Sequence, residues 1–148
     1  MRFLRVLVLL AIPWLAHAES LPFSQEQVAD AKVIYVDFWA SWCGPCRRSF
    51  PWLNEMQARY GDKGFTVIGV NVDPNREDAQ LFLDKYPAAF PLVYDPDGEL
   101  ATRYALQGMP SSVLLNAEGD ELSRHIGFSE KHKGDYEQEI VRLLEAEQ

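Results

Sequence analysis

The chain has 148 residues, of which 47% are hydrophobic and 24% are charged, and it contains two cysteines. This length and composition are typical of one compact domain with a substantial core. With 22 acidic side chains against 14 basic ones the formal net charge is −8, which argues against nucleic acid as a partner.

The first 18 residues have the pattern of a secretory signal peptide. Arg2 and Arg5 precede an apolar run over residues 6–15, and Ala16-His17-Ala18 has the small-x-small form of a signal-peptidase site. We therefore expect cleavage after Ala18, a periplasmic domain over residues 19–148, and no membrane insertion of the processed chain. The alternatives are a retained N-terminal anchor, for which the run is short, and a buried first helix.

The strand that precedes the two cysteines is the clearest element. Residues 33–39 form a nearly unbroken apolar and β-branched run, as in a buried central strand. Apolar residues at helical spacing from Phe50 to Tyr60 predict a helix that ends at Gly61 in the left-handed conformation. Residues 65–72 predict a second buried strand, which completes a strand-helix-strand unit.

The second half of the chain predicts a helix after Asn75, a third strand, a short amphipathic segment and a hairpin. The predicted ranges are residues 76–86 for the helix, 90–94 for the strand, 100–106 for the segment, and 111–116 and 121–128 for the hairpin strands. The hairpin adds antiparallel pairing to the parallel unit. A last helix is predicted to be capped by Asp135, with Gln138 in a capping-box relation.

The motif Cys43-Gly44-Pro45-Cys46 joins the first strand to the helix that follows it. A helix N-terminus has unpaired N–H groups and favours negative charge, so it should stabilise a thiolate. We predict that Cys43, at the exposed start of the helix, is the nucleophile. Cys46, further into the helix, would attack the resulting mixed disulfide. Pro45 suits the first turn because it lacks an N–H group.

The same two cysteines allow other interpretations. A disulfide between them closes too short a loop to stabilise the fold much, so a structural staple is a weak explanation. A structural zinc site needs four ligands, and the only histidines beyond the proposed cleavage site are His125 and His132. We expect no metal and no other cofactor. A pair of inert buried cysteines is the remaining alternative.

Asp37 interrupts the first strand six residues before Cys43. Burying a carboxyl group costs free energy, which favours a functional role. In that role its raised pKa allows it to exchange protons with Cys46. The alternative is a satisfied polar residue at a strand end.

The segment from Phe38 to Cys46 resembles thioredoxin, and the wider pattern is similar to the exported TlpA/ResA-like branch of that superfamily. The resemblance covers nearly all of residues 19–148. It implies an α/β thioredoxin fold, in which helices flank a central mixed β-sheet and a helical insert over residues 71–86 lies between the second and third strands. It also matches Asp37 to the buried aspartate of thioredoxin and Pro51 to the kink in its active-site helix.

The resemblance further implies a substrate site. Met109-Pro110 matches the loop that carries a cis-proline facing the cysteines, and substrate peptide is expected against this loop. Trp42, Gly44 and Pro45 are expected to contribute to the same site. The chain departs from several exported relatives that carry a glutamate where this chain has Ser49. It also departs from many relatives that carry an asparagine at the position of Asp37. Proton handling is therefore expected to follow the thioredoxin pattern.

Three functions compete for this motif. The first is a dithiol reductase of exported protein disulfides, fed with electrons by a membrane donor; the Gly44-Pro45 pair shared with thioredoxin favours it. The second is a disulfide oxidase or isomerase, since the direction depends on how strongly the Cys43 thiolate is stabilised. The third is a non-enzymatic Cu(I)-binding module, because soft thiolates suit Cu(I). We expect a monomer in each case.

Overall fold

The computed structural model describes residues 21–147. Its centre is a five-stranded sheet with the strand order β3-β2-β1-β4-β5. The strands are β1 Val33–Trp39, β2 Phe65–Asn71, β3 Leu92–Tyr94, β4 Ser111–Asn116 and β5 Glu121–Ile126. Strand β1 pairs in parallel with β2 and in antiparallel with β4, so the sheet is mixed, as predicted.

Five helices within the described residues pack around this sheet, and those after β1 follow the order that the sequence predicts, whereas the first helix, before β1, was not predicted. They are α1 Gln25–Val28, α2 Cys46–Tyr60, α3 Arg76–Leu83, α4 Glu99–Arg103 and α5 Lys133–Ala146, with short 3₁₀ turns at Gly61–Lys63 and Glu130–His132. The helix α3 is the predicted insert between β2 and β3. The α/β thioredoxin fold is thereby confirmed. No helix within residues 21–147 is long and apolar enough to cross a membrane. The proposed signal peptide, residues 1–18, lies outside the described residues.

Strand β1 forms the middle of the core, and all seven of its residues are buried. Alternate side chains on a strand point to opposite faces. Val33, Tyr35 and Trp39 accordingly join a cluster with the buried residues of α2 and with Ile140 of α5. The apolar residues between them join a second cluster on the other face. Asp37 belongs to the face that α2 covers.

Three predicted helix ends are wrong in detail. Gly61 is right-handed, with φ −52°, because α2 continues directly into a 3₁₀ turn. The left-handed glycine is Gly64, with φ +92°. Helix α5 begins at Lys133, so Asp135 lies within it and is not its cap, and the Asp135 carboxylate contacts the His132 ring. Asn75 does precede α3, but its side chain bonds Asp78 and caps no backbone N–H group.

Candidate active site

Cys43 and Cys46 are joined in a disulfide, with their Cα atoms 5.4 Å apart. Strand β1 ends at Trp39, and the chain then turns so that the Cys43 N–H group donates to the Ala40 carbonyl at 3.1 Å. Helix α2 begins at Cys46. Both residues are buried, Cys43 at 3% exposure and Cys46 at 0%. The expectation that Cys43 lies exposed is therefore wrong for the disulfide form, although Cys43 is the less buried of the two.

The helix start supplies a hydrogen bond to the outer sulfur. The Cys46 N–H group donates to Cys43 Sγ at 3.3 Å. This donor is one of the N–H groups that a helix leaves unpaired at its first turn, and N–H groups in this position favour a thiolate when the cysteine pair is reduced. Arg47 and Arg48 follow in α2 with exposed side chains. The backbone therefore provides a direct contact to Cys43, whereas these two arginines are largely screened by solvent.

The surface beside the disulfide is open and partly apolar. The Trp42 side chain is 64% exposed, which is unusual for so large an apolar group. Gly44 is exposed, and no atom outside its chain neighbours lies within 4 Å of the point where a Cβ would stand. Pro45 is half-buried at the helix start. The exposed Trp42 and Gly44 thus leave this side of the motif open to solvent.

The Met109-Pro110 peptide bond is cis. Pro110 is buried, and its carbonyl accepts a hydrogen bond from the Gly127 N–H group at 2.8 Å. Met109 is half-buried and packs against the core cluster that includes both cysteines. This loop thus lies at the start of β4, next to the central strand that leads into the motif.

Asp37 is a buried carboxyl group with one partner. It is 2% exposed, and its Oδ1 atom accepts a hydrogen bond from the Ser112 hydroxyl at 3.0 Å. Its Oδ2 atom is buried and has no hydrogen-bond partner within the described part of the chain. Burial outweighs the hydrogen bond and raises the pKa of Asp37 to about 7. The group therefore changes protonation near neutral pH.

A second buried aspartate, which the sequence did not single out, holds the loop before the cysteines. Asp73 is 3% exposed. Its two oxygens accept hydrogen bonds from the Ser41 N–H group and from the Ser41 hydroxyl, both at 2.8 Å. The Asn71 amide also donates to Asp73, at 2.7 Å. Asp73, which follows β2, thus holds Ser41 in place in the loop between β1 and the cysteines.

The signal that could have found Asp73 is its position. It follows a buried strand parallel to β1, and the carboxyl ends of parallel neighbours lie at the same edge of a sheet. Ser112 carries no comparable signal, because only the strand register pairs it with Asp37. Within residues 21–147, no group of three or more His, Cys, Asp or Glu side chains is placed to hold a metal ion.

Comparison with known proteins gives a consistent family. The model of the Redoxin family matches residues 15–140. A curated relative, the thiol-disulfide oxidoreductase ResA of Oceanobacillus iheyensis, is 30% identical over 105 residues, which are 70% of this chain and 55% of the relative. The chain thus spans about half the length of the curated relatives that it matches.

Solved structures match over more of their length. A Chlorobium tepidum protein assigned as a thiol:disulfide interchange protein DsbE has 48% sequence identity and a TM-score of 0.75, covering 78% of this chain and 82% of that one. StoA from Bacillus subtilis has 25% identity and a TM-score of 0.63, covering 74% and 82%.

Proposed function

Because the chain belongs to the Redoxin family, within the thioredoxin superfamily, we propose that it is a thiol-disulfide oxidoreductase that works as a dithiol reductase of protein disulfides. The observation that carries this proposal is the Cys43–Cys46 pair at the start of α2, with a helix N–H group on Cys43 Sγ. The names of the relatives, ResA and DsbE, support thiol-disulfide exchange as the reaction class.

In the proposed reaction the Cys43 thiolate attacks one sulfur of a substrate disulfide. A bond forms between Cys43 Sγ and that sulfur, and the other substrate sulfur leaves as a thiolate. Cys46 then gives its proton to Asp37 and attacks Cys43 Sγ, which releases the second substrate thiolate. The substrate gains two electrons, the cysteine pair loses two, and both substrate thiolates take up protons from solvent.

Asp37 is the proposed acid–base group of the second step. A pKa of about 7 lets the carboxylate accept a proton from a thiol and return it within the neutral range. Trp42, Gly44, Pro45 and the Met109-Pro110 loop are the proposed contact surface for the substrate. The exposed indole and the open space at Gly44 support this assignment.

The proposed setting is the periplasm. The basic residues, apolar run and Ala16-His17-Ala18 site of the N-terminal segment support export. A reductase in an oxidising compartment needs two electrons per cycle to restore the dithiol. We therefore propose a membrane protein as the electron donor and exported proteins as the substrates.

The experiment that tests the proposal is the trapping of a mixed disulfide. Reduced Cys46→Ser protein should accumulate a covalent adduct with insulin as the disulfide substrate, because the resolving thiol is missing. Cys43→Ser is the matched control and should form none, since Cys46 is fully buried. If Cys43→Ser traps insulin and Cys46→Ser does not, the two roles are reversed. If neither variant traps insulin and the parent does not reduce it, the reductase proposal is wrong.

A further inference from the structure

A cleft opens beside the cysteine motif, on the side of the inserted helix α3. It has a volume of about 290 Å³ and lies between Ser41 and Arg47 on one side and α3 with the turn after it on the other. The Cα atoms of Cys43 and Cys46 are 5.4 Å apart, and consecutive Cα atoms are about 3.8 Å apart, so the Arg47 Cα atom lies within about 9 Å of that of Cys43. The cleft is therefore within reach of a polypeptide bound to Cys43.

The sheet topology places this cleft and the cis-proline loop on opposite sides of the motif. Strand β2 pairs in parallel with β1, so its carboxyl end, which leads to α3, lies at the same end of the sheet as the cysteines. Strand β4 pairs with β1 in antiparallel, so its beginning, which follows Met109-Pro110, lies at that end too. Strand β1 stands between β2 and β4. A polypeptide laid across the cysteines from the loop therefore continues toward the cleft.

The charges in the cleft are mainly positive. Arg47 of α2 and Lys85, which follows α3, both line it, and neither side chain has an ion-pair or hydrogen-bond partner among residues 21–147. Asp78 also lines the cleft and accepts a hydrogen bond from the Asn75 amide at 3.4 Å. Two cations thus face one carboxylate, in a chain whose 22 acidic side chains outnumber its 14 basic ones. The cleft is complementary to a negatively charged group.

Apolar side chains form the rest of the cleft. Phe82 is buried, and Leu81 is 62% exposed. Only three large apolar side chains in the described part of the chain are exposed, and a second one is Trp42, the neighbour of Ser41. Exposed apolar groups that lie together are typical of an interaction site. The cleft therefore suits a side chain that has both methylene groups and a negative charge.

We propose that this cleft binds an acidic side chain of the substrate polypeptide, with glutamate as the best fit, a few residues from the substrate cysteine that bonds to Cys43. The carboxylate lies between Arg47 and Lys85, and the guanidinium group can hold both of its oxygens. The methylene groups lie against Leu81 and Phe82. This inference rests on the reductase function proposed above and adds to it a preference for disulfides that have an acidic residue nearby.

Mixed disulfides between short peptides and thionitrobenzoate test the cleft. Each peptide has one cysteine and, within three residues of it on either side, a glutamate or a glutamine. Cys43 of the reduced protein attacks the peptide sulfur, a bond forms between these two sulfurs, and thionitrobenzoate leaves as a coloured thiolate because its thiol has the lower pKa. The colour measures the attack without any electron donor.

At the best position the glutamate peptide should react about fivefold faster than the glutamine peptide at low salt, which is the upper end of what an exposed ion pair contributes. Lys85→Gln and Arg47→Gln should each bring the ratio of the two rates toward one, because each removes a partner of the carboxylate. Lys85→Glu should reverse the preference, so that a lysine peptide reacts faster than the glutamine peptide. A merely structural role of Lys85 does not produce such a reversal.

Arg48→Gln is the matched control. It removes the same charge from the next residue of α2, which is exposed and does not line the cleft, and it should keep the preference for glutamate. If Arg48→Gln abolishes the preference as fully as Arg47→Gln does, the general field of the arginines is responsible and the proposal is wrong.

Equal rates for glutamate and glutamine peptides at every position would overturn the binding of an acidic side chain and leave the reductase function standing, since the peptides still react. A preference that survives both Lys85→Gln and Arg47→Gln would also overturn it, because the charge would then be recognised elsewhere. If no peptide reacts and insulin is not reduced either, the proposed function itself is wrong and the inference falls with it.

Discussion

At the scale of single residues, Asp37 shows how burial and hydrogen bonding compete. The Ser112 hydroxyl favours the charged form of the carboxyl group, while removal from water favours the neutral form. Burial dominates, because Asp37 keeps one hydrogen bond and its second oxygen has none within the described residues. The result is a group whose pKa matches the neutral range but whose charge the folded state disfavours.

A dependence of stability on pH follows from this pKa. Between about pH 4 and pH 7 the unfolded chain loses the Asp37 proton while the folded chain retains it, so stability falls as pH rises through this window. Asp37→Asn removes the penalty. We expect the disulfide form of this variant to be more stable than the parent at pH 8, by as much as about 4 kcal/mol, since one pKa unit corresponds to about 1.4 kcal/mol. At pH 4 the gain should vanish.

Chemical denaturation at the two pH values measures this difference. Asp62→Asn, in the exposed turn after α2, is the control and should change stability little at either pH. An equal gain for Asp37→Asn at pH 4 and pH 8 would contradict the raised pKa, because the benefit would then not depend on ionisation.

At the scale of elements, the active-site loop depends on β2 as much as on its own helix. Ser41 lies between β1 and the cysteines, and both of its polar groups are held by Asp73, 32 residues further along the chain. The Asn71 amide donates in turn to the Asp73 carboxylate, and the Asn71 side-chain oxygen accepts a hydrogen bond from the Asp73 N–H group. Asp73 is accordingly a positioning residue for the Trp42-Cys43 segment.

We expect Asp73→Asn to lose about 1–3 kcal/mol of stability, because an amide oxygen cannot replace both acceptors and a buried donor is left unpaired. It should also change the alkylation rate of Cys43 in the reduced protein, since the loop that presents the thiol is loosened. Denaturation and timed iodoacetamide labelling measure the two effects. Asp78→Asn on the exposed side of α3 is the control; equal behaviour of the two variants would show that Asp73 does not position the loop.

Sequence patterns predicted the elements better than their ends. The run at residues 33–39 is a buried strand over its whole length, because continuous apolar residues suit a strand covered on both faces. The end of α2 depends on a 3₁₀ turn that shifts the left-handed glycine from Gly61 to Gly64. Local spacing does not encode that choice.

The residues of the candidate site likewise fall into two groups, those that the sequence identified and those that it did not. The cysteine pair and Asp37 stand out because their types are unusual in a buried strand-helix junction. Ser41, Asp73 and Ser112 do not, because their roles arise from contacts between residues distant in sequence. Strand register decides which serine meets Asp37, and a shift of one residue would have placed Ser111 or Val113 there instead.

At the scale of the whole molecule, the residues around the cysteines differ in charge from the chain as a whole. Acidic side chains dominate the composition, yet the surface around the cysteines carries the exposed indole of Trp42 and the side chains of Arg47 and Arg48. The arginines are exposed to solvent and salt, so they stabilise the Cys43 thiolate only weakly. No lysine or histidine stands between Trp42 and Cys46. A strongly oxidising couple would need more stabilisation of the thiolate than this.

The reduction potential of the Cys43–Cys46 couple, measured by equilibration with glutathione, tests the reductase account most directly. We predict a value near that of thioredoxin, about −270 mV, rather than near that of DsbA, about −120 mV. The two references differ by about 150 mV, or roughly 7 kcal/mol for two electrons, which is far more than screened surface charges contribute. A potential close to −270 mV would agree with a dithiol reductase, and one close to about −120 mV would contradict it and indicate an oxidase.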